Sequence, residues 1–246
     1  MTHEPDAPAR VAFVTFASPS TSTIRRSLDT VHAEWQKVQH AAVGTCRHDI
    51  DVFPSGTYQV SPLNCSAGQH CAPDVVILDA HGRVQWRGSR DLGYQLRGGQ
   101  RGVWHQASAV LAALPAPFAL RQALVLAGCE GGSRSARQAA EANVPGLPYL
   151  ASRDTTAVWQ GLVLYGVLLR ELDKQLPTSP RQWRDTLEHV TAHAEDLTCP
   201  VLQSCAGDPF LARLMRQAGR EADLPADLEL RQGRWRSWSA TLTADA

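Results

Sequence analysis

Two apolar runs of this sequence each lead to a side chain that can do covalent chemistry. The run at 74–79 leads to His81, and the run at 122–127 leads to Cys129. A cysteine attacks a carbonyl carbon as the thiolate, and a nearby imidazole is the usual group that removes its proton. The two residues therefore predict a nucleophile and its general base, provided that the fold brings them together.

The runs themselves predict how the two residues meet. Each is rich in Val, Leu and Ile without alternating polar residues, which is typical of a strand buried on both faces of a parallel sheet. Open parallel sheets bind their ligands at the carboxyl ends of the strands. If the two strands are neighbours, His81 and Cys129 lie at one edge. Glycines follow both residues, and the backbone amides of Gly82 and Cys129 are the predicted oxyanion hole.

The rest of the chain alternates between strand and helix signals. Further strands are predicted at 11–16, 49–53, 148–152 and 200–203. Helices are predicted at 23–42, 103–114, 133–143, 157–175, 179–197 and 208–218. Residues 54–73 read as a loop or weak helix, and 83–102 as a glycine- and arginine-rich functional loop with room for a hairpin. Such alternation predicts an α/β fold, with a mostly parallel sheet covered by helices on both faces.

Composition excludes several classes of protein. The 246 residues carry 24 basic and 24 acidic side chains, whereas nucleic-acid binders normally show a basic excess. No apolar run approaches the roughly 20 residues that span a bilayer, and the N-terminus lacks a signal-peptide pattern. We therefore expect no nucleic acid, no membrane and a cytoplasmic location, where the six cysteines would remain thiols.

The two motifs resemble those of the caspase-like cysteine peptidases of clan CD, and are most similar to bacterial CHAT domains. The strand ending in Ala80-His81-Gly82 is similar to the Gly-His-Gly strand of that family. The strand ending in Gly128-Cys129-Glu130-Gly131-Gly132 is similar to its Ala-Cys-x-Thr-Gly strand. Ala80 and Gly131 depart from the family pattern, where glycine and threonine are usual.

The resemblance implies a caspase-like three-layer αβα sandwich, the peptidase domain, over residues 10–212. The polar, proline-containing residues 1–9 are predicted to be a flexible leader. Residues 213–246 are predicted to be a C-terminal extension, where weak alternation leaves room for a hairpin turning at 232–233. The resemblance also implies that the strand and loop after the nucleophile line the pocket for the substrate residue before the scissile bond (P1). Asp154 there would select a basic P1 residue and Arg153 an acidic one, and we favour the basic preference.

The implied function is that of a cysteine endopeptidase acting on a protein or peptide. His81 would be general base and acid, Cys129 the nucleophile, with no cofactor; the resemblance adds bacterial defence or regulated cell death and a regulatory protein partner. The alternative is a catalytically degenerate binding module of the same fold. A doubly wound nucleotide-binding protein is disfavoured, because no phosphate-binding glycine motif follows the first strand.

Three further side-chain groups were considered for the site. Asp79 precedes His81 by two residues, so it is predicted either to orient the imidazole or line the substrate pocket, or else to lie in solvent. Glu130 is predicted to face the N-terminus of the following helix. The cysteines and histidines between 46 and 71 do not have the spacing of a zinc motif, so no metal is expected.

Overall fold

The computed structural model describes residues 9–16, 22–53, 55–64, 72–99, 102–119, 121–152, 158–198, 208–221 and 238–242. Within these ranges the chain forms ten strands and seven helices. The strands are β1 (Ala9–Phe16), β2 (Val43–Val52), β3 (Tyr58–Asn64), β4 (Val75–Asp79), β5 (His81–Arg87), β6 (Arg90–Gly98), β7 (Val103–Gln106), β8 (Ala123–Leu126), β9 (Pro148–Ser152) and β10 (Trp238–Leu242). The helices are α1 (Ser22–Trp35), α2 (Ala107–Ala112), α3 (Ala116–Ala119), α4 (Arg134–Asn143), α5 (Val158–Lys174), α6 (Pro180–Thr198) and α7 (Pro209–Glu221).

The described residues form a central sheet of seven strands in the order β10-β9-β8-β4-β1-β2-β3. The five inner strands are parallel, while β3 pairs with β2 and β10 with β9 in antiparallel fashion. The predicted α/β class with a mostly parallel sheet is confirmed. The strand that leads to His81 and the strand that leads to Cys129, β4 and β8, are direct neighbours in it.

Two apolar clusters cover the faces of this sheet. Along β1, Val11 and Phe13 join a cluster with buried residues of α1, α5, α6 and α7. Ala12 and Val14 point to the other face, where they join buried residues of α2, α4 and β6. Successive strand residues face opposite sides of the sheet, and both sides are buried. The strands therefore carry apolar residues without interruption.

A second sheet branches from the central one beside His81. Only Ala80 separates β4 from β5, which pairs with β6, and β6 pairs in turn with β7, both antiparallel. Tyr94 and Leu96 of β6 are buried against the central sheet. The stretch predicted as a loop with a hairpin is therefore a three-stranded sheet that packs onto the central one.

Two other predicted elements were wrong, and one cause explains both. Residues 58–64, predicted as loop, form the edge strand β3, and 103–106, predicted as helix, form β7. Pro62 is tolerated in β3 because that strand pairs on one side, with β2. Val103 and Trp104 favour a strand once β6 offers a partner, so tertiary pairing overrides the local helical spacing.

The C-terminal part contributes to the same sheet and helix layer. α7 packs on α5, and β10 pairs with β9 at the sheet edge. The strand predicted at 200–203 and the turn predicted at 232–233 lie outside the described residues. The boundaries predicted at 9 and 212 remain predictions. None of the helices in the described ranges has the length and apolar character needed to cross a membrane.

Candidate active site

The pairing of β4 with β8 sets His81 and Cys129 at one level of the sheet edge. Leu78 lies opposite Leu126, and the Ala127 amide donates a hydrogen bond to the Leu78 carbonyl at 3.0 Å. His81 comes three residues after Leu78, and Cys129 comes three residues after Leu126. Both side chains are partly exposed, so a substrate has access to each of them. The two predicted catalytic residues therefore share one solvent-accessible edge.

The glycines of the two motifs are in close contact with each other. A Cβ placed on Gly128 would lie 3.3 Å from the Gly82 Cα, and one placed on Gly82 would lie 2.7 Å from the Cys129 carbonyl oxygen. Two segments that approach this closely leave no room for side chains between them. The contact brings the backbone at His81-Gly82 close to the backbone at Gly128-Cys129. The sequence had predicted only that the amides of Gly82 and Cys129 are accessible to a substrate.

The hydroxyl of Tyr94 fills the niche between the two glycines. It donates a 2.8 Å hydrogen bond to the Cys129 carbonyl, and a Cβ on Gly128 would come within 2.6 Å of it. Burial is the main cause that raises the pKa of Tyr94 well above its usual value, so the phenol stays protonated and remains a donor. Sequence reasoning missed this residue, because nothing local marks a tyrosine 35 positions before its partner.

The turn after Cys129 is held at several points. Glu130 has a left-handed backbone with φ of 58°, and its carboxylate accepts a 2.7 Å hydrogen bond from the Val84 amide. The Tyr149 hydroxyl donates to the Gly131 carbonyl. α4 begins at Arg134, with Ser133 as its cap. The prediction that Glu130 faces the helix N-terminus was therefore wrong, since its carboxylate ties the Cys129 turn to β5.

Asp79 lies beneath the edge rather than on it. The residue is 8% exposed, and its carboxylate accepts a 2.7 Å hydrogen bond from the Tyr165 hydroxyl of α5. Burial raises the pKa of Asp79 to about 7, partly offset by the Tyr165 hydrogen bond and the charge of Arg47. The alternative of a carboxylate in solvent is wrong. The predicted role in contacting substrate remains a prediction that this burial does not favour.

The other two predicted substrate-binding residues, Arg153 and Asp154, lie outside the described residues. The end of the strand that leads to them is described. The Ser152 carbonyl accepts a 2.7 Å hydrogen bond from the Gly132 amide, which joins the end of β9 to the Cys129 turn. The segment predicted to line the pocket therefore begins beside the turn that carries the predicted nucleophile.

A cysteine–histidine contact also exists away from this edge, in strand β2. His48 Nε2 lies 3.2 Å from Cys46 Sγ within β2. Both residues are 4% exposed, and the His48 ring packs edge-on against Phe118 at 5.0 Å between centroids. A peptide has no access to this pair, so proximity of a thiol to an imidazole does not by itself identify the site. Exposure at the sheet edge distinguishes Cys129.

Comparisons with known proteins add no relative to this geometry. No protein-family model matches the chain, and no match was found among curated proteins or solved structures.

Replacing Tyr94 with phenylalanine tests whether the niche positions Cys129. We expect kcat for peptide cleavage to fall by about tenfold to a hundredfold with KM little changed, because small misplacements of reacting groups cost this much. The lost hydrogen bond should also cost about 0.5–1.5 kcal/mol in the free energy of unfolding. Steady-state kinetics and urea unfolding measure the two effects.

Tyr58→Phe is the matched control. The Tyr58 hydroxyl contacts His105 Nδ1 at 3.1 Å, away from the Cys129 turn. This variant should lose similar stability and keep kcat. An unchanged kcat in Tyr94→Phe, or an equal loss in both variants, would show that Tyr94 has no positioning role.

Proposed function

We propose that this chain is a caspase-like cysteine endopeptidase that uses His81 and Cys129 as its catalytic dyad. The observation that carries the proposal is the contact between the carboxyl ends of β4 and β8, where Gly82 packs against Gly128 and the Cys129 carbonyl. The sequence resemblance to clan CD supplies the reaction type. The fold supports the proposal because the strands that lead to the two motif residues, β4 and β8, are parallel neighbours.

The proposed reaction begins with proton transfer from the Cys129 thiol to His81. The thiolate sulfur attacks the scissile carbonyl carbon, and the negative charge that develops on the carbonyl oxygen is stabilised by the Gly82 and Cys129 amides. The imidazolium then gives its proton to the leaving amine, and the C–N bond breaks. This leaves an acyl-enzyme thioester, which a water deprotonated by His81 hydrolyses to free the second product.

Rigidity of the Cys129 turn supports this mechanism. Tyr94, Tyr149 and Glu130 each hold a different part of the turn through a hydrogen bond. A nucleophile held in place before the substrate arrives loses little entropy in the transition state. We also propose a reduced, cytoplasmic setting, which is supported by the free thiols of the two described cysteines, Cys46 and Cys129.

Substrate selection is proposed to involve the segment that follows β9. Asp154 is acidic and belongs to the segment that begins beside the Cys129 turn, so we propose cleavage after Arg or Lys of a protein substrate. On the same resemblance, we propose that the chain has a regulatory protein partner and acts in bacterial defence or regulated cell death.

Cleavage of a proteome-derived peptide library, followed by mass spectrometry, tests the function and the preference together. We expect products that end in Arg or Lys, because a pocket carboxylate stabilises a cationic side chain. Asp154→Asn should lower kcat/KM for such peptides by at least about tenfold, because it removes the negative charge that pairs with the substrate's Arg or Lys side chain. Arg153→Gln is the matched control and should retain the basic preference.

The other outcomes are equally informative. Products that end in Asp or Glu, lost in Arg153→Gln, would reverse the assignment of the two residues. Absence of any cleavage by a folded protein would contradict the endopeptidase and favour the binding module.

A further inference from the structure

Three side chains suited to metal ligation converge between α5 and α6. His193 Nδ1 lies 3.3 Å from one carboxylate oxygen of Glu171, and His189 Nε2 lies 3.6 Å from the other. One ligand atom from each residue can be chosen so that all three lie within 4.8 Å of one another. Two imidazoles and a carboxylate form a donor set that is typical of zinc.

The helices hold these ligands in a fixed relation. His189 and His193 are four residues apart on α6, so their side chains leave the same helix face one turn apart. Leu187 and Val190 of α6 are buried in an apolar cluster that also contains Leu172 of α5, the residue after Glu171. Both helices are therefore anchored beside the three ligands. Binding of an ion would therefore require side-chain rotation and little movement of the backbone.

The distances fit a tetrahedral zinc ion. Bonds of about 2.0–2.1 Å at tetrahedral angles separate neighbouring ligand atoms by about 3.3–3.4 Å. His193 Nδ1 and Glu171 Oε1 lie at this separation, 3.3 Å, whereas His189 Nε2 lies 3.6 Å from the other carboxylate oxygen. One ligand atom from each residue lies within 4.8 Å of the other two, so side-chain rotation would bring His189 onto the same ion. A cavity of about 440 Å³ adjoins the cluster and is lined by Glu171 and His189 among others. It gives an ion access, and it has room for the water that would complete the coordination.

Lys174 shows that this position attracts a cation. Its Nζ lies 2.7 Å from Glu171 Oε1, while its side chain is 64% exposed. The exposed ammonium can swing away when a divalent ion takes its place.

We propose that Glu171, His189 and His193 bind one Zn²⁺ ion that links α5 to α6. The site is remote from the predicted dyad. On α5, Glu171 lies six residues beyond Tyr165, which contacts Asp79, and that is about 9 Å along the helix. Asp173, two residues after Glu171, accepts a hydrogen bond from the Ala42 amide, just before β2 begins. This end of α5 therefore lies at the amino ends of the parallel strands, whereas the predicted dyad lies at their carboxyl ends. The ion would therefore stabilise the helix layer and take no part in catalysis.

Zinc titration of the metal-free full-length protein, by calorimetry and by competition with a chromogenic chelator, tests the proposal. The wild type should bind one ion. His189→Ala, His193→Ala and Glu171→Gln should each weaken binding by at least about tenfold, since even groups that only support a metal ligand are worth this much. Lys174→Ala should tighten binding by several-fold, because a competing cation is removed. His40→Asn, an exposed histidine elsewhere on the surface, should bind as the wild type does.

Two further readouts separate this site from ligation by thiols and from unfolding. The cobalt complex of the wild type should lack a thiolate charge-transfer band, because none of the three ligands is cysteine. Zinc should raise the Tm of the wild type more than that of His189→Ala at the same zinc concentration. His189 is 63% exposed, so its removal does not disturb packing. Three results would each overturn the proposal: no zinc binding by the wild type, wild-type affinity in the three ligand variants, or a thiolate band in the cobalt complex.

Discussion

Cys129→Ala is expected to lower kcat/KM for peptide cleavage by at least about a thousandfold. The substitution removes the only atom that forms the covalent intermediate in the proposed mechanism, and general-base chemistry with water alone does not replace it. The fold should survive, because the described hydrogen bond that holds Cys129 is made to its backbone carbonyl. Kinetics on the peptides selected from the library, together with circular dichroism, measure the two expectations.

Cys46→Ala is the matched control, since it removes a thiol that is in contact with a histidine, His48. Cys46 is 4% exposed and lies on β2, so its loss should cost some stability and leave kcat/KM within a few-fold of the wild type. An electrophilic peptide probe should label Cys129 in preference to the other cysteines, and His81→Ala should slow that labelling. Undiminished cleavage by Cys129→Ala would rule out the proposed nucleophile.

Asp79→Asn is expected to stabilise the protein at alkaline pH. The folded state raises the pKa of Asp79 from 3.8 to about 7, so between these values it retains a proton that the unfolded chain has released. Stability therefore falls as pH rises through this window, by about 4 kcal/mol in total, because each pKa unit corresponds to about 1.4 kcal/mol. Asparagine has no charge to bury and still offers an oxygen to the Tyr165 hydroxyl.

The difference in the free energy of unfolding between Asp79→Asn and wild type should follow this titration. It should be near zero at about pH 4 and should grow to several kcal/mol at about pH 8, as measured by urea unfolding at a series of pH values. Asp51→Asn replaces an exposed carboxylate on β2 and should show no such rise. A difference that does not vary with pH would contradict the raised pKa of Asp79.

The properties that depend on neighbouring residues were predictable from the sequence. Continuous apolar runs identified β1, β4, β8 and β9, and helical spacing identified α4, α5, α6 and α7, because burial on one or both faces leaves a periodic signature in the chain. Gly128 beside Cys129 marked the end of β8, whereas Gly82 after His81 lies within strand β5. These signals sufficed for the α/β class and for the proposal of a dyad.

Features that join distant segments were not predictable. The β5-β6-β7 sheet forms because β6 supplies a partner to segments with weak local signals. The direction of Asp79 depends on α5, whose Tyr165 is 86 residues away. The His189–His193 spacing was present in the sequence as a helical i, i+4 pair, yet its third ligand comes from another helix.

By itself the sequence determined that a histidine and a cysteine each follow a buried strand within three residues and are followed by glycines. Only the tertiary structure decided that β4 and β8 are neighbours, that Gly82 and Gly128 are in close contact, and that Tyr94 occupies the niche between them. The physical reason is the range of the forces involved. Periodic burial and glycine conformation act within a few residues, whereas strand order and side-chain contacts depend on how the whole chain packs.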